Sequence, residues 1–125
     1  MIVIDAGVVI ELVAGGLDPQ KLGVDELAAP HLIDSEVTNV LRRLVARGHL
    51  SAEEGGRALE GFMGMTLRRY PADGLRLRMW ELRHNLSAYD ATYVALAEQI
   101  GATELLTTDA RLASTPGIRC AVTVL

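Results

Sequence analysis

Apolar and polar positions alternate along this chain in two rhythms. Met1–Ile4, "MIVI", is an apolar run ending at Asp5, the pattern of a short buried strand. "AGVVIELVA" follows as a short helix stopped by Gly15 and Gly16. "DPQKLGVDEL" predicts a second short helix, with Asp18 as cap and Pro19 at its first position. "AAP" fits a brief strand or a plain connection. From Leu32 to Arg47 the residues Ile33, Val37, Val40, Leu41 and Leu44 make an apolar stripe at helical spacing, and Gly48 ends it. Ser51 and Glu54 form a capping box that opens a helix over residues 52–66. "LRRYP" predicts a strand ended by Pro71. Leu75, Met79 and Leu82 mark another helix, closed near Asn85. A more apolar helix begins after Ser87, with Ala88, Ala91, Ala95 and Ala97 small enough for close packing against a sheet. "ELLTTD" and "IRCAVTVL" supply two more strands. Strands that alternate with helices predict an α/β sandwich with a parallel sheet. No repeat or linker interrupts the pattern, so residues 1–125 are read as a single domain.

Composition narrows the class. Half of the residues are hydrophobic and 22% are charged, which excludes a disordered chain. One cysteine, Cys120, leaves neither an internal disulfide nor a zinc cluster, as suits a reducing compartment. The start reaches an acid after four residues and has no basic or long apolar stretch, so neither a signal peptide nor a membrane partner is expected. A cytoplasmic location is the expectation.

The net charge of −4 is unevenly spread. Residues 42–83 hold nine arginines against five acids, and the flanking segments are net acidic. Arginine pairs bidentately with phosphate, so a phosphate-bearing partner is compatible with this segment, as are plain solvated helix faces.

In an open parallel sheet, ligands bind beyond the carboxyl ends of the strands, where the following helices begin. Asp5 follows the first strand and Asp109 follows "ELLTT"; Asp90 and Glu36 lie near helix starts. The topology therefore brings four acids to one rim. Each has an ordinary alternative: Asp5, Asp90 and Asp109 as helix caps, Glu36 as a solvated side chain. No basic residue adjoins Asp5, Glu36 or Asp90 in sequence. Crowded carboxylates raise one another's pKa, and a divalent cation relieves the conflict. Oxygen-only ligands favour magnesium or manganese over zinc.

Four segments, "MIVIDAGVVIELV", "SEVTNVLRRL", "SAYDATYVALAE" and "LLTTDARLA", occur in this order from Met1 to about Ala113. Together they resemble the PIN-domain family, and more narrowly its VapC-type toxins of bacterial toxin–antitoxin pairs. The resemblance implies a three-layer α/β/α sandwich with a central, mainly parallel β-sheet. It also implies an endoribonuclease dependent on Mg2+ or Mn2+. Asp5, Glu36, Asp90 and Asp109 match the family's catalytic acids. Asp5, Asp90 and Asp109 are then the metal ligands, and Glu36 supports a water or a second ion. Asn39 matches a polar residue of the same pocket, and Arg43, with Arg42 or Arg47, is a candidate for flanking phosphates of the RNA substrate. Thr107 and Thr108 are candidates for hydrogen bonds to the site. The family further implies a small cognate antitoxin that covers the pocket, and a homodimer. The chain departs from the pattern at Gly7, where the family often carries Ser or Thr.

Two other readings compete. A phosphoacceptor receiver domain requires paired acids after the first strand and a lysine after a late strand; Asp5 stands alone and Lys21 is the only lysine. A catalytically silent protein-binding module of the same fold is the nearer alternative, and Gly7 is its main support. His31, His49 and His84 fall at element edges and read as surface residues.

Overall fold

The computed structural model describes the whole chain, Met1–Leu125. Five strands form one sheet: β1 (Ile2–Ile4), β2 (Leu27–Pro30), β3 (Arg68–Tyr70), β4 (Glu104–Thr107) and β5 (Val122–Val124). Their order across the sheet is β3-β2-β1-β4-β5, and every pairing is parallel. Between them run α1 (Ala6–Val13), α2 (Leu32–Ala46), α3 (Ala52–Met63), α4 (Arg76–Glu81), α5 (Ala88–Gln99) and α6 (Ala110–Ala113).

This order has a direct consequence. The chain steps from β1 to β2 to β3 in one direction, then returns to place β4 on the other side of β1. Right-handed crossovers put the helices of these two excursions on opposite faces of the sheet. One layer is α1, α2 and α3, packed on one another; the other is α5, lying across β1, β2 and β4 with α4 behind it. The result is the three-layer α/β/α sandwich. All three residues of β1 are buried, because both of its faces are covered.

Local chemistry sets the helix starts. Asp5 caps α1 by accepting from the Val8 amide, and Ser87 caps α5 by accepting from the Asp90 amide. At α3 the Ser51–Glu54 capping box is formed in both directions. In α5 seven consecutive residues, Ala91 to Ala97, are buried. That run explains why the helix lacks a polar face: it is enclosed by the sheet on one side and by α4 on the other.

The structure corrects some boundaries. The segment expected as a second helix after Asp18 is one 3-10 turn, Pro19–Leu22. Asp18 does cap it, but Gly23 at φ +74° turns the chain out, and Leu27 belongs to β2. "AAP" is thereby a strand. The helix expected around Leu75–Leu82 divides into a 3-10 turn, Asp73–Leu75, and the short α4. Helix α3 ends at Met63 rather than near residue 66, and the last strand keeps only three residues of "IRCAVTVL". The three histidines are exposed, as expected. No helix is long and apolar enough to cross a membrane.

Ala95 is 1% exposed, against β-sheet and neighbouring helix, whereas Ala88 at the start of the same helix is exposed. Ala95→Leu is expected to destabilise the fold by about 1–3 kcal/mol through overpacking. Ala88→Leu is expected to stay within about 0.5 kcal/mol of the parent. Urea unfolding of the two variants, with unchanged slopes, checks this.

Candidate active site

The topological switch point lies between β1 and β4, whose connections leave in opposite directions. In such sheets the crevice beyond this point is where ligands bind. The register pairs Ile4 with Leu106, so Asp5 and Thr107 stand next in line, side by side. Thr107 Oγ1 donates to Asp5 Oδ2 at 2.5 Å and accepts from the Asp109 backbone amide at 3.0 Å. One hydroxyl thus joins the ends of both central strands. Of the two threonines considered from sequence, Thr107 is therefore built into the site.

Asp5 is half-buried. Its Oδ1 accepts from the Val8 amide at 3.0 Å, so its capping role is real. Burial raises its pKa above the ordinary carboxylate value; the Thr107 and Val8 hydrogen bonds oppose this, and the charges of Asp90 and Asp109 add to it. Glu36, on the second turn of α2, is half-buried. Its Oε1 accepts from the Tyr93 hydroxyl of α5 at 2.5 Å. Burial raises the Glu36 pKa first, the Tyr93 bond lowers it, and the charges of Asp90 and Asp5 raise it again. Burial, then the Glu36 hydrogen bond and charge, push the Tyr93 hydroxyl far up, so it stays protonated and donates.

Asp90 is exposed in the first turn of α5, and its backbone amide is held by Ser87 Oγ at 3.2 Å. Asp5, Glu36 and Asp90 form no ion pair; the four ion pairs of the molecule lie elsewhere. Asp109 differs. It caps α6, and Arg111 Nη2 sits 3.1 Å from its Oδ2, which lowers its pKa. The Arg111 side chain is 90% exposed, so this pair is weak and easily exchanged.

The structure thus brings Asp5, Glu36 and Asp90 close enough to feel one another's charge, with Asp109 joined to Asp5 through Thr107. As the side chains stand, no three of these acids already converge within reach of one ion. The donor set is nonetheless the one a hard divalent cation requires. It is all oxygen, it is partly desolvated, and three of its members lack a compensating cation.

Asn39 and Arg43 lie on the same face of α2 as Glu36 and line one cavity with it. Asn39 Oδ1 accepts from Arg42 Nε at 3.0 Å, while Arg43 has no ion-pair partner. Arg47 is exposed at the far end of α2. Two tyrosines were missed from sequence. Tyr93 holds Glu36, and Tyr89 lines the same cavity one turn earlier. Their spacing of four placed them on one face of the helix that carries Asp90, which was a usable signal. Gly7 also has a structural reason. A Cβ at position 7 would collide with Thr108 Oγ1 and would stand 3.4 Å from Asp5 Oδ1. The space beside Asp5 that a hydroxyl-bearing residue 7 would use is already held by the hydroxyl of Thr108.

Fold and site together define a class of protein: an open parallel α/β domain with uncompensated acids at its switch point. The PIN domain family model matches residues 2–118, and this chain belongs to the PIN-domain family. Within the family it falls among the VapC ribonucleases. It is 46% identical to VapC ribonuclease Mb0985 of Mycobacterium bovis over 99% of this chain and 98% of that protein. Ribonuclease VapC1 of Mycobacterium tuberculosis is 38% identical over 96% and 94%. Among solved structures, PAE2754 of Pyrobaculum aerophilum superposes with a TM-score of 0.71 at 26% identity, covering 97% of this chain and 81% of that one. VapBC2 of Rickettsia felis, bound to a DNA fragment from its promoter, gives 0.72 at 14% identity over 99% and 98%, a likeness of fold.

Two stability predictions follow from this geometry. Gly7→Ser would gain about 0.5 kcal/mol from helix propensity if nothing opposed it. Thr108 is exposed and its hydroxyl can turn aside, so the strain is expected to cost about 0.5–1.5 kcal/mol and to cancel this gain. Adding Thr108→Ala is expected to recover most of it; a urea double-mutant cycle measures the coupling. The second concerns Asp5 in metal-free buffer. Its folded-state pKa lies above its unfolded one, so the folded chain retains the proton between them and stability falls as pH rises through that window. Asp5→Asn keeps a capping oxygen and loses the charge. It is expected to be more stable than the parent at pH 7, with the difference vanishing below about pH 3.8, in melting curves recorded with EDTA.

Proposed function

We propose that this chain is an Mg2+- or Mn2+-dependent endoribonuclease and the toxin of a toxin–antitoxin pair. One observation carries the reading: Asp5, Glu36 and Asp90 are gathered at the switch point with no cation to balance them. Such an arrangement is unfavourable for a fold that needs nothing there. Support comes also from relatives named ribonucleases and from a structural neighbour named as a sarcin–ricin-loop-cleaving toxin, VapC20 of Mycobacterium tuberculosis.

In this reading Asp5, Asp90 and Asp109 would hold the ion, with Asp109 exchanging its exposed Arg111 contact for it. When bound, such an ion supplies Lewis-acid stabilisation of charge on the phosphodiester and acidifies water. Glu36 is anchored through Oε1 by Tyr93, which leaves Oε2 to orient the attacking water and receive its proton. A bond forms between the water oxygen and phosphorus, and one P–O ester bond breaks; the leaving oxygen takes a proton from solvent, giving a phosphomonoester and a hydroxyl. Asn39 and Arg43 contact the RNA beside the cleaved bond. A small antitoxin partner, a homodimeric assembly and a cytoplasmic location complete the reading; a neighbour crystallised as a VapBC complex supports the first of these.

Purified chain with manganese is expected to cleave total cellular RNA at discrete positions, and EDTA is expected to stop it. Asp5→Asn and Asp90→Asn are each expected to lower the rate by at least about 100-fold while retaining the fold, since a lost charge-stabilising group typically weakens catalysis by that order. RNA left intact by the wild-type chain across several substrates would point instead to a protein-binding module.

A further inference from the structure

Arg111 is the one basic side chain that touches any of the four acids of the rim. It lies on the short helix α6, two residues after Asp109, and covers both oxygens of that carboxylate. Its backbone amide donates to Oδ1 at 2.9 Å, Nε donates to Oδ1 at 3.2 Å, and Nη2 donates to Oδ2 at 3.1 Å. The charge of Asp90 acts on the same guanidinium. Arg111 is therefore in the field of two of the three acids assigned to the ion.

This side chain has a fixed root and a free end. At the root, the Arg111 carbonyl accepts from Ser114 Oγ at 3.1 Å and from Thr115 Oγ1 at 2.8 Å, and the adjoining Leu112 is buried. At the end, the side chain is 90% exposed. Asp109 engages two of the five N–H donors of the guanidinium, so the others are unused. An exposed pair of this kind holds its partners loosely. A guanidinium forks onto phosphate as well as onto carboxylate, and a phosphate drawn to the rim's ion would lie beside Asp109. Capping of α6 does not need the arginine side chain. Asp109 reaches the backbone amide of residue 111, which any residue but proline supplies.

We propose that Arg111 is a catalytic residue that changes partners: without metal it occupies the Asp109 carboxylate, and once Asp109 turns to the divalent ion its guanidinium contacts the non-bridging oxygens of the phosphate being cleaved. The inference rests on the nuclease reading above and gives the acid rim a catalytic cation of its own. Two consequences of opposite sign follow for its removal. On Asp109 the guanidinium competes with the ion, so a chain without it binds metal more tightly. On the phosphate it balances the charge that grows as water attacks, so a chain without it cleaves more slowly. A residue that only braced α6 would not produce this combination.

Manganese binding to the full chain is measured first, without RNA, from the loss of the free ion's electron paramagnetic resonance signal. Arg111→Ala is expected to bind manganese about two- to fivefold more tightly than wild type, the range an exposed ion pair supplies. In an Asp109→Asn background the same substitution is expected to leave the affinity where Asp109→Asn alone puts it, since no carboxylate remains to be blocked. Cleavage of total cellular RNA is measured next, at saturating manganese. Arg111→Ala is expected to lower kcat at least about tenfold, and added guanidinium ion to restore part of the loss where sodium does not. Unchanged manganese affinity overturns the proposal. So does equal tightening in both backgrounds, which is the effect of a charge deleted at a distance. An unchanged kcat, or a loss that guanidinium does not relieve, overturns it while the nuclease reading stands. A wild-type chain that binds manganese yet cleaves no RNA sinks the nuclease reading itself, and the phosphate contact with it.

Discussion

The pairing of β1 with β4 is the constraint on which the site depends. These strands are adjacent in space although about a hundred residues apart in sequence, and their register leaves Asp5 level with Thr107. The Thr107 hydroxyl then fixes Asp5 on one side and the Asp109 backbone on the other. A slip of one residue in this pair would turn Thr107 to the opposite face and separate the two acids. All three residues of β1 and Leu105, Leu106 and Thr107 of β4 are buried, so a slip would have to repack both faces of the sheet and would break the Thr107–Asp5 hydrogen bond.

The second constraint is electrostatic. Burial and mutual repulsion both disfavour the charged forms of Asp5 and Glu36, and no arginine relieves them. The chain is not short of arginine. Arg69 is committed to Asp34, Arg78 to Glu98 and Arg57 to Glu53, all away from the acids. Only Arg111 reaches the rim, and it sits on the most outlying acid through an exposed contact. Cations are therefore disposed around the site but not within it. In the proposed function a phosphate-bearing ligand would meet them at a distance, and the centre would keep its negative charge for a divalent ion.

Much of this was legible in the sequence. Short apolar or β-branched stretches marked β1, β4 and β5, and the alternation of strands with helices marked the parallel sheet. Asp5 lies just past the end of β1 and Asp109 two residues past the end of β4, where the sequence put them relative to the strands. The 3-10 turn at Pro19 was misread as a helix because capping signals say where a turn of helix begins but not how far it continues; Gly23 decided that. Tyr93 shared a helix face with Tyr89 beside Asp90, but its hydrogen bond to Glu36, fifty-seven positions away, was not legible from that spacing. The Gly7 departure had no explanation from sequence for the same reason: its partner, Thr108, approaches only when β4 pairs with β1.

The capping and functional accounts of these acids also turn out to be one account. Asp5 and Asp109 accept from the first amides of α1 and α6, and Asp90 lies in the first turn of α5. Free amides at a helix start carry partial positive charge, and this is the positive environment set directly against Asp5 and Asp90, with Arg111 acting on Asp90 only through space. It falls short of a full countercharge, so the acids are held in place without being neutralised. Arginines in that position would lock the carboxylates shut, and bare solvent would let them scatter. Helix starts at a switch point do neither, so an arrangement that reads locally as ordinary capping also keeps the acid rim assembled, as the proposed metal-dependent reading requires.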